Sequence, residues 1–196
     1  MLDRIGDEVA RATSIVRYAE GSDFPAHTHG GGEEYLVLEG VFQDEEGDHP
    51  VGTYVRNPPT TRHRPRSAPG CTIFVKLWQF DPDDRVSVRV PAGSMPWTPD
   101  PERPGVDVMP LHADRQETVR LLRWAPEMDV VLTTERGLEL LVLDGGFHAL
   151  EETFEPLSWL RLPAGMPMRA RTGSNGARIW LKQGVQPASL TFPRNA

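Results

Sequence analysis

Short apolar runs alternate with polar residues along the chain, and glycine or proline separates most of the runs. The 18 glycines and 19 prolines are spread over all 196 residues instead of being concentrated in one tail. Short alternating runs bounded by turn residues are typical of strands. Helical periodicity is confined to residues 2–11, which could form a helical turn or two. The pattern therefore predicts an all-β fold, a sandwich or a barrel.

The predicted strands fall into two groups along the chain. They are residues 14–18, 35–42, 52–56, 72–80, 118–124, 130–134, 138–143, 158–162 and 178–182. Between the groups lies a segment with five prolines, residues 91–104, which is typical of a stiff, extended linker.

The two groups repeat each other in sequence. Residues 36–40 (LVLEG) recur as 141–145 (LVLDG) at an offset of 105 residues. Residues 70–76 (GCTIFVK) recur as 176–182 (GARIWLK) at an offset of 106. A nearly constant offset predicts two copies of one small β-barrel. The predicted domains are a first barrel at 1–90, a linker at 91–104 and a second barrel at 105–196.

Charge and cysteine content narrow the class of protein. The 28 acidic and 21 basic residues give a net charge of −7, which repels a phosphate backbone, so nucleic acid is not expected as a partner. The single cysteine, Cys71, forms no intramolecular disulfide, which favours a reducing cytoplasm. No run approaches the roughly 20 apolar residues of a membrane span. We expect a cytoplasmic protein without membrane contact.

Candidate chemistry concentrates in the first copy. His27 and His29 are two residues apart, so on a strand their side chains share one face. Three glycines then reverse the chain, and Glu33 begins the next apolar run; His63 ends another. An isolated pair of this kind can equally be a surface or capping pair. Three imidazoles and one carboxylate suit Fe(II), Mn(II), Ni(II), Cu(II) or Zn(II), and the residue types do not choose among these metals.

The spacing of these residues resembles the two motifs of the cupin superfamily. Gly21 and five residues precede the histidine pair, and six residues separate Glu33 from Gly40. In the second motif, five residues separate Gly52 from Pro58, and four residues separate Pro58 from His63. The resemblance implies two tandem cupin barrels, that is, double-stranded β-helices of jelly-roll type. It also implies that one divalent metal is bound by four ligands: His27, His29, Glu33 and His63.

The sequence departs from the cupin pattern at two positions. Thr60 replaces a glycine in the second motif, and Ser67 replaces an asparagine after it. Neither position carries a ligand, so the departures concern the turn and not the metal.

Residues 27–80 resemble more narrowly the cupin domain of ChrR-type anti-sigma factors and their stand-alone relatives. The shared segments are residues 33–40, 44–47, 52–56 and 70–76. Anti-sigma members carry a further zinc-binding domain with a histidine and CxxC cluster, which this sequence lacks. Stand-alone relatives include dioxygenases that cleave a C–C bond beside a carbonyl group.

The resemblance implies a non-haem dioxygenase of the diketone or hydroxyacetophenone type, with Fe(II) as the favoured metal. Its partners would be a small-molecule substrate and O₂, and Glu33 could leave the metal to act as general base. A metal-dependent isomerase, lyase or hydrolase, and a zinc-holding sensor or regulatory cupin, are the alternatives. Because exposed strand edges are commonly covered by pairing, we also expect a homodimer.

Five further residues are candidates for the substrate pocket. Tyr35 and Val37 share strand parity with Glu33, although Tyr35 could instead be a core tyrosine with a satisfied hydroxyl. Lys76 could contact substrate, but Lys182 occupies the same place in the second copy, which favours a structural role.

Of the same five, Arg56 could attract an anionic substrate, as could Arg62 and Arg64, or all three could be solvated. Trp78 could form pocket wall or core. His49 lies in a predicted turn, where we expect it to be exposed.

The second copy lacks the ligand set. The offset of 105 places four residues at the ligand positions: Leu132, Thr134, Leu138 and Met168. A register shifted by one residue gives Thr133 and Glu135 in the first strand instead. We therefore expect a second barrel without metal and with a packed, apolar interior.

Overall fold

The computed structural model describes residues 1–7, 9–133 and 135–184. The described residues form strands and turns and contain no helix, so none of them forms a helix that could span a membrane. The chain divides into two compact units, one from Met1 to Ser94 and one that begins at Met95. The predicted all-β class is confirmed.

The first unit contains strands β1 to β11. Their bounds are β1 (Asp3–Gly6), β2 (Ala10–Tyr18), β3 (Ser22–Asp23), β4 (His27–Thr28), β5 (Glu33–Asp44), β6 (Gly47–Pro50), β7 (Tyr54–Asn57), β8 (Arg62–His63), β9 (Arg66–Ser67), β10 (Cys71–Leu77) and β11 (Val88–Val90). The main sheet has the order β1-β2-β10-β5-β7-β11, with β6 and β9 also paired to β5. Strand β4 pairs with β8 apart from this sheet. Among the described residues the sheet does not close on itself.

The second unit contains strands β12 to β19. Their bounds are β12 (Thr98–Pro99), β13 (Val106–Ala113), β14 (Thr118–Trp124), β15 (Asp129–Leu132), β16 (Leu138–Ala149), β17 (Glu152–Phe154), β18 (Trp159–Leu162) and β19 (Met168–Gln183). The sheet order is β12-β13-β14-β19-β16-β17, with β15 on β19 and β18 on β16. Strand β12 lies inside the segment predicted as linker. The predicted domain boundaries stay a prediction.

The predicted sequence repeat is confirmed by the strand register. In the first unit Cys71 of β10 pairs with Gly40 of β5. In the second, Ala177 of β19 pairs with Gly145 of β16, the equivalent positions. The two central pairs of strands therefore have the same alignment in both units.

Both central strands also carry the same β-bulge. In β5 the pairing steps from Glu39 to Val37 and leaves out Leu38. In β16 it steps from Asp144 to Val142. An extra residue reverses the faces to which the following side chains point, so the inward positions of β5 change parity after the bulge.

Glycines allow a close backbone approach next to each bulge. Gly40 and Gly145 have φ values of 67° and 66°, a region that favours glycine. A Cβ on Gly40 would lie 2.0 Å from the carbonyl oxygen of Gly70, and one on Gly145 would lie 2.2 Å from that of Gly176. The backbone therefore requires glycine at the end of the LEG and LDG segments of the repeat.

A buried carboxylate occupies the same place in both units. Glu34 of β5 accepts a hydrogen bond from Tyr54 Oη at 2.5 Å, and Glu139 of β16 accepts one from Trp159 Nε1 at 2.8 Å. Both carboxylates are buried. A charged group is buried only at a cost unless it is hydrogen-bonded and paired, so these contacts are part of what both sheets need.

The predicted helical turn at residues 2–11 is wrong. These residues form β1 and the start of β2, which pair antiparallel from Asp3 opposite Thr13 to Gly6 opposite Ala10. Gly6 has a φ of 107°. Pairing along the edge of the sheet satisfies backbone groups that a single helical turn would leave exposed.

Candidate metal centre

The pairing of two short strands brings the predicted ligands together. His27 of β4 lies opposite His63 of β8. The backbone N–H of His29 donates to Thr61 O at 2.9 Å, and that of Thr60 donates to His29 O at 2.9 Å. Backbone hydrogen bonds therefore fix both histidine-bearing segments side by side.

The three histidines form one cluster. Their ligand atoms all lie within 4.8 Å of one another. His29 and His63 are buried and His27 is exposed, and the Nε2 atoms of His29 and His63 lie 3.2 Å apart. The described residues contain no second such cluster of histidine, cysteine and carboxylate groups.

Hydrogen bonds at the far side of two rings determine which nitrogen carries the proton. Thr61 Oγ1 donates to Pro58 O at 2.7 Å, so towards His29 Nδ1, 3.0 Å away, it accepts. His27 Nδ1 lies 3.3 Å from Pro25 O, a group that only accepts. In both rings Nδ1 is therefore the donor, and a neutral ring in this tautomer leaves the lone pair on Nε2 free for a metal.

Glu33 lies against two of these histidines at the start of β5. Its Oε2 is 3.5 Å from His29 Nε2 and 3.5 Å from His63 Nε2. Asn57 Nδ2 donates to the same oxygen at 3.3 Å. The carboxylate is buried, and its role as fourth ligand stays a prediction.

Burial and neighbouring charges shift the pKa values within the cluster. Burial, together with the nearby His63 and His27, lowers the pKa of His29 to about 3. Burial raises the pKa of Glu33 despite its contacts with His63 and Asn57. For His63, the carboxylates of Asp44 and Glu33 outweigh burial and raise its pKa. His29 is therefore a neutral imidazole at neutral pH, the form that binds a metal.

These residues fit a divalent transition metal. His29 is a neutral imidazole with a free Nε2 lone pair, and two further imidazoles and a carboxylate lie around the same point. A mixed nitrogen and oxygen set of this kind suits several first-row metals, and the donor types do not identify which.

Aromatic side chains pack on the glycine-rich loop between His29 and Glu33. A Cβ on Gly31 would lie 2.2 Å from Trp78 Cε3, and one on Gly32 would lie 2.4 Å from Phe80 Cδ2. The loop is therefore glycine-rich because two aromatic rings occupy the space of its side chains.

Thr60 keeps the turn of the second motif without the usual glycine. Its φ is 78°, close to the 83° of Gly165 at the equivalent place in the second unit. A threonine in this conformation is strained, so the turn geometry is retained at a cost.

A cavity of about 580 Å³ opens beside the cluster. Of the four predicted ligands, His63 lines this cavity. Its other polar lining residues include Asn57, Thr61, the cations Arg62 and Arg89, and the carboxylates Asp44, Glu45 and Glu46. A volume of this size suits a small-molecule ligand.

The five residues predicted for the substrate pocket lie elsewhere. Tyr35 and Val37 belong to the buried apolar cluster of the first unit. The hydroxyl of Tyr35 is buried without a hydrogen-bond partner among the described residues. Their contact with a substrate stays a prediction.

The other three of these residues make contacts within the unit. Arg56 donates to Asp84 Oδ2 at 2.6 Å and stacks on the Phe80 ring at 4.2 Å. Lys76 is buried and donates to Thr13 Oγ1 at 3.2 Å.

Trp78 covers the glycine-rich loop, and none of the five lines the cavity beside His63. Of the two flanking arginines, Arg62 lines that cavity, while Arg64 makes two hydrogen bonds to the carboxylate of Asp23.

A polar pair that the sequence pattern does not predict lies behind His63. Asp44 and His49 are each only 3% exposed, and Asp44 Oδ1 lies 2.9 Å from His49 Nε2. The expectation that His49 is exposed is therefore wrong. Strict alternation from Glu33 would place Asp44 outward, but the bulge in β5 turns it inward. The sequence signal that could have found this pair is the repeat, which replaces these two residues by Ala149 and Phe154.

The second unit holds apolar residues at the equivalent positions. Leu132 pairs with Met168 as His27 pairs with His63. This pairing selects the offset of 105 over the shifted register, in which Thr133 and Glu135 are exposed.

Leu138 pairs with Leu162 as Glu33 pairs with Asn57. Leu132, Leu138 and Met168 all belong to one buried cluster, which makes the interior apolar as predicted. Thr134 lies outside the described residues, and the expectation that this unit binds no metal stays a prediction.

A known family model matches the part of the chain that carries the histidine cluster. Residues 1–81 match the family model described as "ChrR Cupin-like domain". No protein of curated function matches the chain in sequence.

Solved structures share the fold of the chain at low sequence identity. A putative dioxygenase from Nostoc punctiforme is 15% identical, with a TM-score of 0.76 over 94% of this chain and 74% of that one. Salicylate 1,2-dioxygenase from Pseudaminobacter salicylatoxidans is 10% identical, with a TM-score of 0.64 over 87% and 70%. A bacterial pirin in complex with nickel(II) from Escherichia coli is 17% identical, with a TM-score of 0.61 over 88% and 82%. Residues 1–81 therefore match a ChrR cupin-like domain, and the chain shares the fold of these solved structures.

Proposed function

We propose that the first unit binds one divalent transition metal and that the protein uses it as an enzyme acting on a small molecule. The ligands are His27, His29 and His63, with Glu33 as the fourth. The observation that carries this proposal is the convergence of the three imidazoles on one point beside a cavity of about 580 Å³.

The reaction we favour is cleavage of a C–C bond next to a carbonyl group by O₂, with both oxygen atoms entering the products. A substrate of the diketone or hydroxyacetophenone type fits such a cavity in size. Fe(II) is the favoured metal because it supplies both Lewis acidity and the electrons for reaction with O₂. The resemblance to stand-alone cupin dioxygenases, and the shared fold with salicylate 1,2-dioxygenase, support this choice of reaction.

The protein's own groups have two tasks in this proposal. Asn57 and Thr61 line the cavity beside His63 and offer hydrogen-bonding groups to a bound substrate. Glu33 would leave the ligand set, and its carboxylate would then take the proton from an acidic C–H or O–H of the substrate. Burial raises the pKa of Glu33, which makes its carboxylate a better proton acceptor than an exposed one.

A zinc-holding sensor or regulatory cupin is the second candidate. The family match that names ChrR favours it, because that match covers the unit with the histidine cluster. A metal-dependent isomerase, lyase or hydrolase is compatible with the same ligand set.

Metal content measured by mass spectrometry on protein purified without chelators tests the proposal. We expect about one iron, manganese, nickel or copper per chain, lost in His63→Ala while the second unit stays folded. His148→Ala is the matched control, since this exposed histidine lies in the second unit. One tightly held zinc per chain would favour the second candidate, and no metal in the wild-type protein would overturn the metal site.

Oxygen uptake then tests the reaction. Diketones and hydroxyacetophenones are supplied to the iron-loaded protein, and uptake should require both substrate and His63. Uptake that persists in His63→Ala would contradict the proposal. Sedimentation of the same samples tests the expected homodimer.

A further inference from the structure

A second buried carboxylate lies on the side of His63 that faces away from the metal cluster. Asp44 Oδ2 is 3.5 Å from His63 Nδ1. The opposite ring nitrogen, Nε2, is the one that faces His29 and Glu33. His63 therefore lies between the predicted metal position and Asp44.

Asp44 is held in place by its own contacts. Its Oδ1 lies 2.9 Å from His49 Nε2 and accepts the backbone N–H of Glu46 at 2.9 Å. Arg89 Nη1 lies 3.9 Å from the same oxygen and 2.9 Å from His49 Nε2. These contacts hold Oδ1, and the other oxygen, Oδ2, is directed at His63.

His63 Nδ1 needs an acceptor. It is buried and has no hydrogen-bond partner within normal distance among the described residues. The Nδ1 atoms of His27 and His29 have acceptors in Pro25 O and Thr61 Oγ1. Asp44 offers His63 the corresponding acceptor, and histidine ligands of metals commonly donate to such a carboxylate.

The two units indicate that Asp44 accompanies the metal ligands and not the fold. At the place of Asp44 the second unit has Ala149, and at the place of His49 it has Phe154, which pairs with Phe147. These residues belong to its apolar core. The buried carboxylate of Glu34, by contrast, is retained as Glu139. The Asp44–His49 pair is therefore absent from the unit that also lacks the ligands.

We propose that Asp44 is a positioning residue: it accepts the Nδ1 proton of His63 and so keeps the Nε2 lone pair directed at the metal. His49 and Arg89 hold Asp44 in this orientation. The inference rests on the proposed metal site, since His63 is one of its ligands.

Asp44→Ala and Asp44→Asn test this role, with Glu46→Gln as the matched control. Glu46 is exposed, lies in the turn between β5 and β6 and lines the cavity beside His63, as Asp44 does. It contacts Asp44 through its backbone N–H, which the substitution keeps. Asp44→Asn retains an acceptor oxygen of similar size and serves as the second variant if Asp44→Ala fails to fold.

The first measurement is the protonation of the two His63 ring nitrogens in metal-free protein, which is the tautomer when the ring is neutral. It is read from the ring ¹⁵N chemical shifts and assigned with His63→Ala. We expect a protonated Nδ1 in the wild type and in Glu46→Gln, and a partial loss of the Nδ1 proton in Asp44→Ala. A purely structural role for Asp44 would change thermal stability and leave the tautomer unchanged, which would overturn the proposal.

The second measurement is Co(II) affinity by competition titration, together with the absorption spectrum of the bound ion. We expect Asp44→Ala to weaken binding about 10–100-fold, with Asp44→Asn between it and the wild type. Wild-type affinity in Asp44→Ala, or an equal loss in Glu46→Gln, would contradict the positioning role. Failure of the wild type to bind Co(II) would contradict the metal site, while the tautomer measurement still decides whether Asp44 orients His63.

Discussion

The two units use one pattern of strand pairing around different interiors. Where Glu33 pairs with Asn57 in the first unit, Leu138 pairs with Leu162 in the second. The flanking strands keep their register despite the exchange of a carboxylate and an amide for two leucines. The register of the sheet therefore does not depend on a polar pair at this position.

The next position of the same two strands, where the side chain points to the opposite face, is conserved in character between the units. Glu34 and Glu139 both remain buried carboxylates, each with an aromatic donor, Tyr54 or Trp159. At this position, next to Glu33 in the first unit, both units have thus kept a polar contact. The comparison separates the residues that both sheets need from the predicted ligands that only the first unit has.

The largest expected effect comes from giving the first unit the residues of the second. The double variant Glu33→Leu/His63→Met installs the equivalents Leu138 and Met168. We expect the bound metal to fall from about one per chain to none, because two of the four donors are lost. Mass spectrometry of the purified protein measures this.

The same variant should still fold, because buried ionisable groups can be exchanged for apolar ones of similar volume without loss of stability. Far-ultraviolet circular dichroism checks the fold. An unfolded variant would show that the first unit depends on its polar interior, contrary to the comparison.

Leu138→Ala in the second unit should lower the free energy of unfolding by about 2–5 kcal/mol. Leu138 is fully buried in the apolar cluster, and its truncation leaves a cavity there. Urea denaturation followed by tryptophan fluorescence measures the change. The matched control is Val131→Ala, at a position 45% exposed, which should cost less than about 1 kcal/mol. Equal effects would mean that the second interior is loosely packed.

Glu33→Gln separates the proposed base from the ligand set. We expect turnover to fall about 100-fold or more, the range typical of a lost general base. Metal content should be measured on the same sample, so that loss of metal is distinguished from loss of the base. Full turnover with full metal content would rule out the base role.

Gly31→Ala should weaken metal binding about tenfold, since a methyl group there displaces the Trp78 ring and shifts the loop between His29 and Glu33. Co(II) titration measures the change. Gly173→Ala in the second unit is the control, because the nearest atom to a Cβ there is 4.0 Å away. Equal affinity in the two variants would show that the loop adjusts without moving the ligands.

The repeat, the all-β class and the histidine cluster were all predictable from the sequence. Residues 118–124 were predicted as a strand with the bounds that β14 has. The meeting of His27, His29 and His63 was predictable only through the resemblance to the cupin motifs, because it depends on the pairing of β4 with β8, which the spacing of the residues does not determine.

The remaining parts of the site depend on departures from the strict inward and outward alternation of side chains along a strand. The bulge at Leu38 reverses the parity of β5, so Asp44 points inward. His49 is buried because it contacts Asp44, although a turn predicts exposure. Trp78 has a φ of 58° and turns onto the glycine-rich loop, so β10 ends at Leu77 and not at residue 80 as predicted.

The bulge also bears on how the two copies have diverged in length. The offset between paired equivalents is 106 at Tyr18, 105 at His27 and His63, and 106 again at Cys71. Single-residue insertions or deletions have therefore accumulated between 18 and 27 and between 63 and 71, whereas β5 and β16 have the same length of 12 residues. Losing Leu38 alone would rotate Phe42 and Asp44 to the solvent side at one step, so this strand can evolve by exchanging side chains but not by changing its residue count.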